Sequence, residues 1–269
     1  MSGSSSDQWS TASAAYAAKA EYVTRPAAEE LLSWVDSESW LSAPGVTVFD
    51  NGSGTGVVTA AIRTRFPDLP ILAGDLSPGM LELFEKKGLP NVRTQVLNAV
   101  DLAPIEENRF THSLSTFMIQ FTPDPLQALQ EMFRVTKAGE TLGLGMWGEL
   151  CFDAPWVDAC RHSEPDYTYP HTWTADWADE ERLKAYIQQA GFRDVRMQTI
   201  WPRWDFKNPE EYFEFFLKSQ NPEFERAYRP WWDSGRMDDV KPLFERLVRE
   251  KYNGARDCKM KVFLFVARK

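Results

Sequence analysis

Residues 48–56 read VFDNGSGTG, and the reading of this stretch decides the fold. It closes a short apolar run, VTVFD at 46–50, rich in β-branched residues and ending at a carboxylate. That is the pattern of a buried strand. Glycines follow at 52, 54 and 56, and VVTAAIRTRF then reads as a helix. Residues without Cβ let the backbone turn sharply and approach a ligand closely. The helix start adds unpaired N–H groups at the same place. The spacing Gly52-x-Gly54-x-Gly56 departs from the G-x-G-x-x-G of a pyrophosphate-binding turn, and no Lys-Ser/Thr ending of a phosphate loop follows. A ligand that does not present phosphate fits better. Standing alone, the run would be read as a plain tight turn.

Working outward, PILAGD at 70–75 is a second buried strand that again ends at a carboxylate, Asp75. Ser77-Pro78 supplies an N-cap and a proline at the first helical position for GMLELFEKK. Strands are expected at 92–98, 110–118 and 141–147, with a helix at 124–135 capped by Asp124. A helix over 179–192 ends at Gly191, and strands at 195–201 and 259–269 follow. Upstream, a helix is expected to begin near Pro26, with the first twenty residues a polar lead-in that is only partly helical. Alternating strands and helices predict an α/β fold with a doubly wound, mostly parallel sheet. In a sheet of this kind Asp75 faces the same crevice as the glycine turn, where it can accept both hydroxyls of a ribose.

Four segments are expected. An N-terminal helical cap spans 1–45 and a nucleoside-binding α/β core spans 46–206. A helical lid insertion occupies 207–258, and the last strand of the core is 259–269. None of the 11 Trp lies in 41–146, so the ends of the chain carry the large flat side chains and the middle serves as scaffold.

The totals exclude several classes. A net charge of −9 and no clustered Lys/Arg argue against nucleic acid as partner. Three scattered cysteines, Cys151, Cys160 and Cys258, with three histidines and no C-x-x-C or H-E-x-x-H spacing, predict neither a metal site nor a disulfide framework. No run of 18 apolar residues suggests a membrane span, and the first twenty residues lack the apolar core of a signal peptide. The expected compartment is the cytoplasm.

Taken in order, VFDNGSGTG, GDLSPGML, LNAVDLAPIEENRF, FTPDPLQALQEMFRVTKAGETL and AGFRDV resemble the class I S-adenosylmethionine-dependent methyltransferases, over about residues 45–200. The small-molecule, secondary-metabolite enzymes of that family are the most similar in type. The resemblance implies a Rossmann-like seven-stranded sheet, S-adenosyl-L-methionine as cofactor and an antiparallel last strand. Carried over by position, it implies that Asp50, Gly52, Ser53, Gly54 and Gly56 flank the methionine and ribose parts. Asp75 would hold the ribose hydroxyls, and Leu76 and Met80 would pack beside adenine. Asn98 and Ala99 would lie at the adenine edge, and Thr116, Phe117 and Met118 would line the strand end nearest the sulfonium. The chain departs from the family pattern at Asn98, where an aspartate is usual, at Thr111, and at Ala138-Gly139-Glu140 in place of proline-glycine-glycine.

Methyl transfer from a sulfonium requires alignment and exclusion of water more than activation. His171 is the candidate base, ahead of His162 and Glu149, while His112 inside a strand reads as a core histidine. Tyr16, Tyr22, Trp147, Phe152, Trp156 and Trp173 are the candidate acceptor contacts, which points to a small, apolar or aromatic methyl acceptor. The competing reading is a protein of the same fold that binds the cofactor without methylating, as a cyclase or a regulatory module.

Overall fold

A computed structural model describes residues 5–170, 179–204, 206–218, 220–253 and 257–269. The strands are β1 (Val48–Asn51), β2 (Ile71–Asp75), β3 (Val92–Val96), β4 (Phe110–Thr116), β5 (Thr136–Glu149), β6 (Arg193–Ile200), β7 (Arg203–Trp204), β8 (Cys258–Lys259) and β9 (Lys261–Arg268). The helices are α1 (Ser5–Glu38), α2 (Val57–Arg65), α3 (Pro78–Glu85), α4 (Pro125–Val135), α5 (Asp153–Arg161), α6 (Glu180–Gln189), α7 (Pro209–Lys218), α8 (Pro222–Asp233) and α9 (Met237–Lys251).

Seven strands form one sheet in the order β3-β2-β1-β4-β5-β9-β6. β1 through β5 pair in parallel, and β9 runs antiparallel between β5 and β6. The order reverses at β1, which sets a crevice at the carboxyl ends of β1 and β4. The alternation of β9 shows why both faces need cover. Val262, Leu264 and Val266 join the cluster that includes α1 and α2, while Phe263, Phe265 and Ala267 join the one that includes α4 and α6. All six are at most 1% exposed.

The insertion between β6 and β9 carries α7, α8 and α9. β7 and β8 pair antiparallel at its base, so the chain leaves and re-enters the sheet side by side. Its interior is aromatic: Tyr212, Phe213, Phe216 and Phe244 are each at most 1% exposed, and Phe216 packs on Trp156 of α5. Among the described residues no helix is long and apolar enough to cross a membrane.

One expectation is corrected. The N-terminal helix does not start near Pro26 but runs through it from Ser5 to Glu38. The Ala-rich stretch 12–20 has high helix propensity. Past the proline, Ala27, Ala28, Leu31, Leu32 and Val35 are fully buried, with Leu31 and Val35 close to β5 at Gly143. That packing outweighs the loss of one backbone bond at Pro26.

The loops feeding β2 and β3 are pinned by one side chain. Arg63, 8% exposed, donates to the carbonyls of Pro90 (2.7 Å), Phe66 (2.8 Å), Asn91 (3.0 Å) and Leu69. Arg63→Met strands these buried acceptors and should lower stability by about 2–4 kcal/mol. Urea denaturation checks this; an unchanged midpoint would show that the four bonds are energetically idle.

Candidate functional site

The crevice is built around the glycine turn. Gly52, Gly54 and Gly56 all have positive φ (74°, 53° and 89°). The amides of Gly52 and Ser53 donate to the Gly74 carbonyl (2.8 and 2.9 Å), which ties the turn to the end of β2. The Gly54 amide donates to Asp75 Oδ2 (2.8 Å), and the Ser77 amide to Asp75 Oδ1 (2.9 Å). Burial raises the Asp75 carboxyl above its usual range, while these amide bonds oppose the shift. The glycines differ in what their missing Cβ spares. At Gly52 it would strike Met118 at 2.3 Å and at Gly56 Phe84 at 2.9 Å, whereas at Gly54 it would meet nothing within 4 Å. Only Gly54 of these three faces open space.

That space is a cavity of about 530 Å³. One part of its wall is Asn51, Gly52, Gly54, Asp75, Leu76, Met80, Leu97, Asn98 and Ala99. Thr116, Phe117 and Met118 lie at the end of β4. Phe117 has φ of 57°, a left-handed conformation that costs a non-glycine residue about 1–2 kcal/mol. Its ring stacks on Trp147 with centroids 3.9 Å apart and planes 19° off parallel. Trp147, Leu150, Phe152, Trp204, Phe215, Phe224 and Met260 make an apolar wall.

α1 covers the cavity with Gln8, Trp9, Tyr16, Ala20, Val23 and Thr24. Ser6 Oγ donates to the Leu76 carbonyl (2.9 Å), and Ser10 Oγ meets Ser77 Oγ at 2.9 Å. At Gly79 an added Cβ would lie 2.9 Å from the Ser10 backbone, so α1 and α3 touch there because both surfaces are small. Burial pushes the Tyr16 hydroxyl up to about 12, so it stays protonated.

The expected residues fall into three groups. Gly52, Gly54, Asp75, Leu76, Met80, Asn98, Ala99, Thr116, Phe117 and Met118 come together on the wall, as do Tyr16, Trp147 and Phe152. Asp50, Ser53 and Gly56 are not among the lining residues. Asp50 is 1% exposed; its Oδ2 accepts from Thr59 Oγ1 (2.7 Å), its Oδ1 has no partner among the described residues, and burial pushes it up to about 7. Two acceptor contacts are corrected. Tyr22 is 60% exposed, six residues from Tyr16 and so on another side of α1. Trp156 is fully buried, donates to the Tyr167 hydroxyl (3.0 Å) and packs on Phe216 and Phe244. His171 and Trp173 lie outside the described residues.

Sequence reasoning missed most of the α1 wall and Leu150, Trp204, Phe215, Phe224 and Met260. The spacing Tyr16, Ala20, Val23, Thr24 was the available signal for α1, a single helical face. His112 is in the core as expected. Its Nε2 donates to the Ser39 carbonyl (3.1 Å) and its Nδ1 lies 2.9 Å from Thr111 Oγ1.

Comparison with known proteins fits this geometry. Residues 49–143 match the family model described as methyltransferase domain. Methyltransferase ktnA of Aspergillus niger is 24% identical over 245 residues, covering 78% of this chain and 79% of that protein. A rice (Oryza sativa) 2-methyl-6-phytyl-1,4-hydroquinone methyltransferase is 29% identical over 161 residues, covering 58% of this chain and 42% of its own length. Among solved structures, the YcgJ protein of Bacillus subtilis superposes with a TM-score of 0.59 at 17% identity, over 89% of this chain and 97% of that one. The methyltransferase domain, the relatives and the fold together support a class I, S-adenosylmethionine-dependent methyltransferase, with S-adenosylmethionine as cofactor.

Burial holds His112 down at about 4. The unfolded chain, with an ordinary histidine near 6.5, therefore binds the extra proton between about pH 4 and 6.5. The histidine's contribution is complete above 6.5 and falls by up to about 3 kcal/mol as pH drops to 4. Asp50, raised to about 7, acts in the opposite direction, losing stability as pH rises from its ordinary value near 4. The test is therefore the difference between wild type and His112→Gln in urea midpoints across this range. It should grow with pH; parallel curves would contradict a buried neutral imidazole.

Proposed function

We propose that this enzyme transfers a methyl group to a small, apolar or aromatic acceptor held in the cavity beneath α1 and the insertion helices. The single observation that carries the reading is that one cavity is lined both by the glycine turn with Asp75 and by Trp147, Phe152, Trp204 and Phe224. The end lined by the glycine turn and Asp75 and the apolar end are thereby continuous.

The residues present fit the cofactor. Asp75 keeps lone pairs beyond those used by Gly54 and Ser77, as an ionised carboxylate has about four acceptor sites. In this reading they take the ribose hydroxyls. The space left by the absent Cβ of Gly54 admits the ligand's close approach. Leu76, Met80 and Ala99 supply apolar surface for adenine, and the Asn98 carboxamide offers its edge an uncharged partner. Asp50, at the end of β1, accepts from Thr59 of α2, and the Ser53 amide ties the turn to β2. The bound cofactor supplies an already activated methyl group on a sulfonium, open to in-line displacement.

The chain's own part is then alignment and exclusion of water. The apolar wall desolvates the acceptor, and Tyr16, held protonated by burial, can donate a hydrogen bond to it. His171 is the proposed base for an acceptor that must lose a proton.

Incubation with methyl-labelled S-adenosylmethionine and a panel of planar phenols and hydroquinones should release S-adenosylhomocysteine with at least one of them. Tight cofactor binding without release across phenols, amines and carbon acids would instead favour a non-methylating role. Asp75→Ala should weaken S-adenosylhomocysteine binding by about 10- to 100-fold in calorimetry, and Asp75→Asn, which keeps one acceptor, by less. Affinity unchanged in both would remove Asp75 from the ligand contact.

A further inference from the structure

The paired register of β4 and β5 ends at Thr116 opposite Gly145, because Phe117 turns into the left-handed region. β5 runs on to Glu149 with β9 as its sheet neighbour. The Trp147 amide thus lies beyond the last residue of β4. A buried backbone N–H must find an acceptor elsewhere. Gln120 supplies it: Oε1 accepts from the Trp147 amide at 2.8 Å. Gln120 sits in the 3-10 turn Ile119–Phe121 and is 1% exposed. Its Nε2 has no partner among the described residues, so its oxygen makes the one directional contact.

This bond closes a ring of contacts. Phe117 lies three residues before Gln120, and Trp147 lies across the gap from it. The two rings stack at 3.9 Å, and both line the cavity. We propose that Gln120 is a positioning residue: its amide oxygen fixes the end of β5 beside the 3-10 turn, sets the tilt of the Phe117–Trp147 pair, and so selects planar acceptors. The proposal rests on the reading of the aromatic wall as the acceptor face. Loss of that oxygen leaves the Trp147 amide unpaired, and the end of β5 relieves this by moving away from the turn.

The test uses wild type, Gln120→Met, Gln120→Glu and Trp147→Phe. The probe is 8-anilinonaphthalene-1-sulfonate, titrated with S-adenosylhomocysteine present. The signature of the ring pair is the near-ultraviolet circular dichroism lost in Trp147→Phe. Gln120→Met should lose most of that signature and bind the probe about tenfold more weakly, with S-adenosylhomocysteine affinity within twofold of wild type. Gln120→Glu, which keeps an acceptor oxygen, should restore both. A Gln120→Met protein that keeps signature and probe affinity overturns the proposal. If Gln120→Met loses the signature while Trp147→Phe leaves probe binding unchanged, the positioning role stands and the acceptor-face reading fails. Should Gln120→Met not fold, amide exchange in wild type decides: the Trp147 amide should be protected like those of Gly143 and Gly145, and rapid exchange there overturns the bracket.

Discussion

The carboxylate of Asp75 and the amides of Gly54 and Ser77 form the junction on which the site depends. One side chain at the end of β2 accepts from the glycine turn after β1 and from the residue that caps α3. Ser77 in turn accepts from the Met80 amide, so the start of α3 is fixed by the same chain of bonds. The constraint is geometric before it is chemical. With Asp75 in place, the turn is held in three positive-φ positions, and Gly54 presents bare backbone to the cavity. The carboxylate is buried against its preference, which its amide donors offset.

Around that junction the protein supplies cover from both ends of its chain. α1 turns Trp9, Tyr16 and Val23 toward the crevice, while its contact with α3 at Ser10 and Gly79 requires small residues. The insertion between β6 and β9 brings aromatic side chains over the other side, with Phe216 and Phe244 packed on Trp156 of α5 in the same core as α1 and α2. In the proposed reading the sheet end holds the nucleoside, and the covering elements select what lies beside it. On the proposed reading, the acceptor is to be sought in the covering residues.

Much of this was legible in the residues. The VFDNGSGTG run, Asp75 and the Ser77-Pro78 cap each encode local geometry, through absent Cβ atoms, a strand-end charge and a fixed φ. Position in sequence therefore gave position in space. The antiparallel course of β9 was implied by the family resemblance and not by the residues of the strand itself. What failed depended on tertiary packing. Tyr22 and Trp156 are aromatic like Tyr16 and Phe152, but side-chain type does not reveal which side of a helix meets a cavity and which meets another helix. Pro26 was read as a helix start because its local preference is real; burial of Ala27, Ala28, Leu31, Leu32 and Val35 overrides it. Gln120 carried no signal at all, since its role exists only once β4 ends early and β5 does not.

The central claim is that the crevice beside Asp75 is shaped for an adenosine bearing a sulfur side chain. A crystal structure of the protein with S-adenosylhomocysteine tests it most directly. The account predicts both ribose hydroxyls within hydrogen-bond distance of the Asp75 carboxylate, adenine beside Leu76 and Ala99, and the sulfur directed toward the Phe117 end. A nucleoside bound elsewhere, or a crevice filled by the protein's own side chains at saturating ligand, would contradict it.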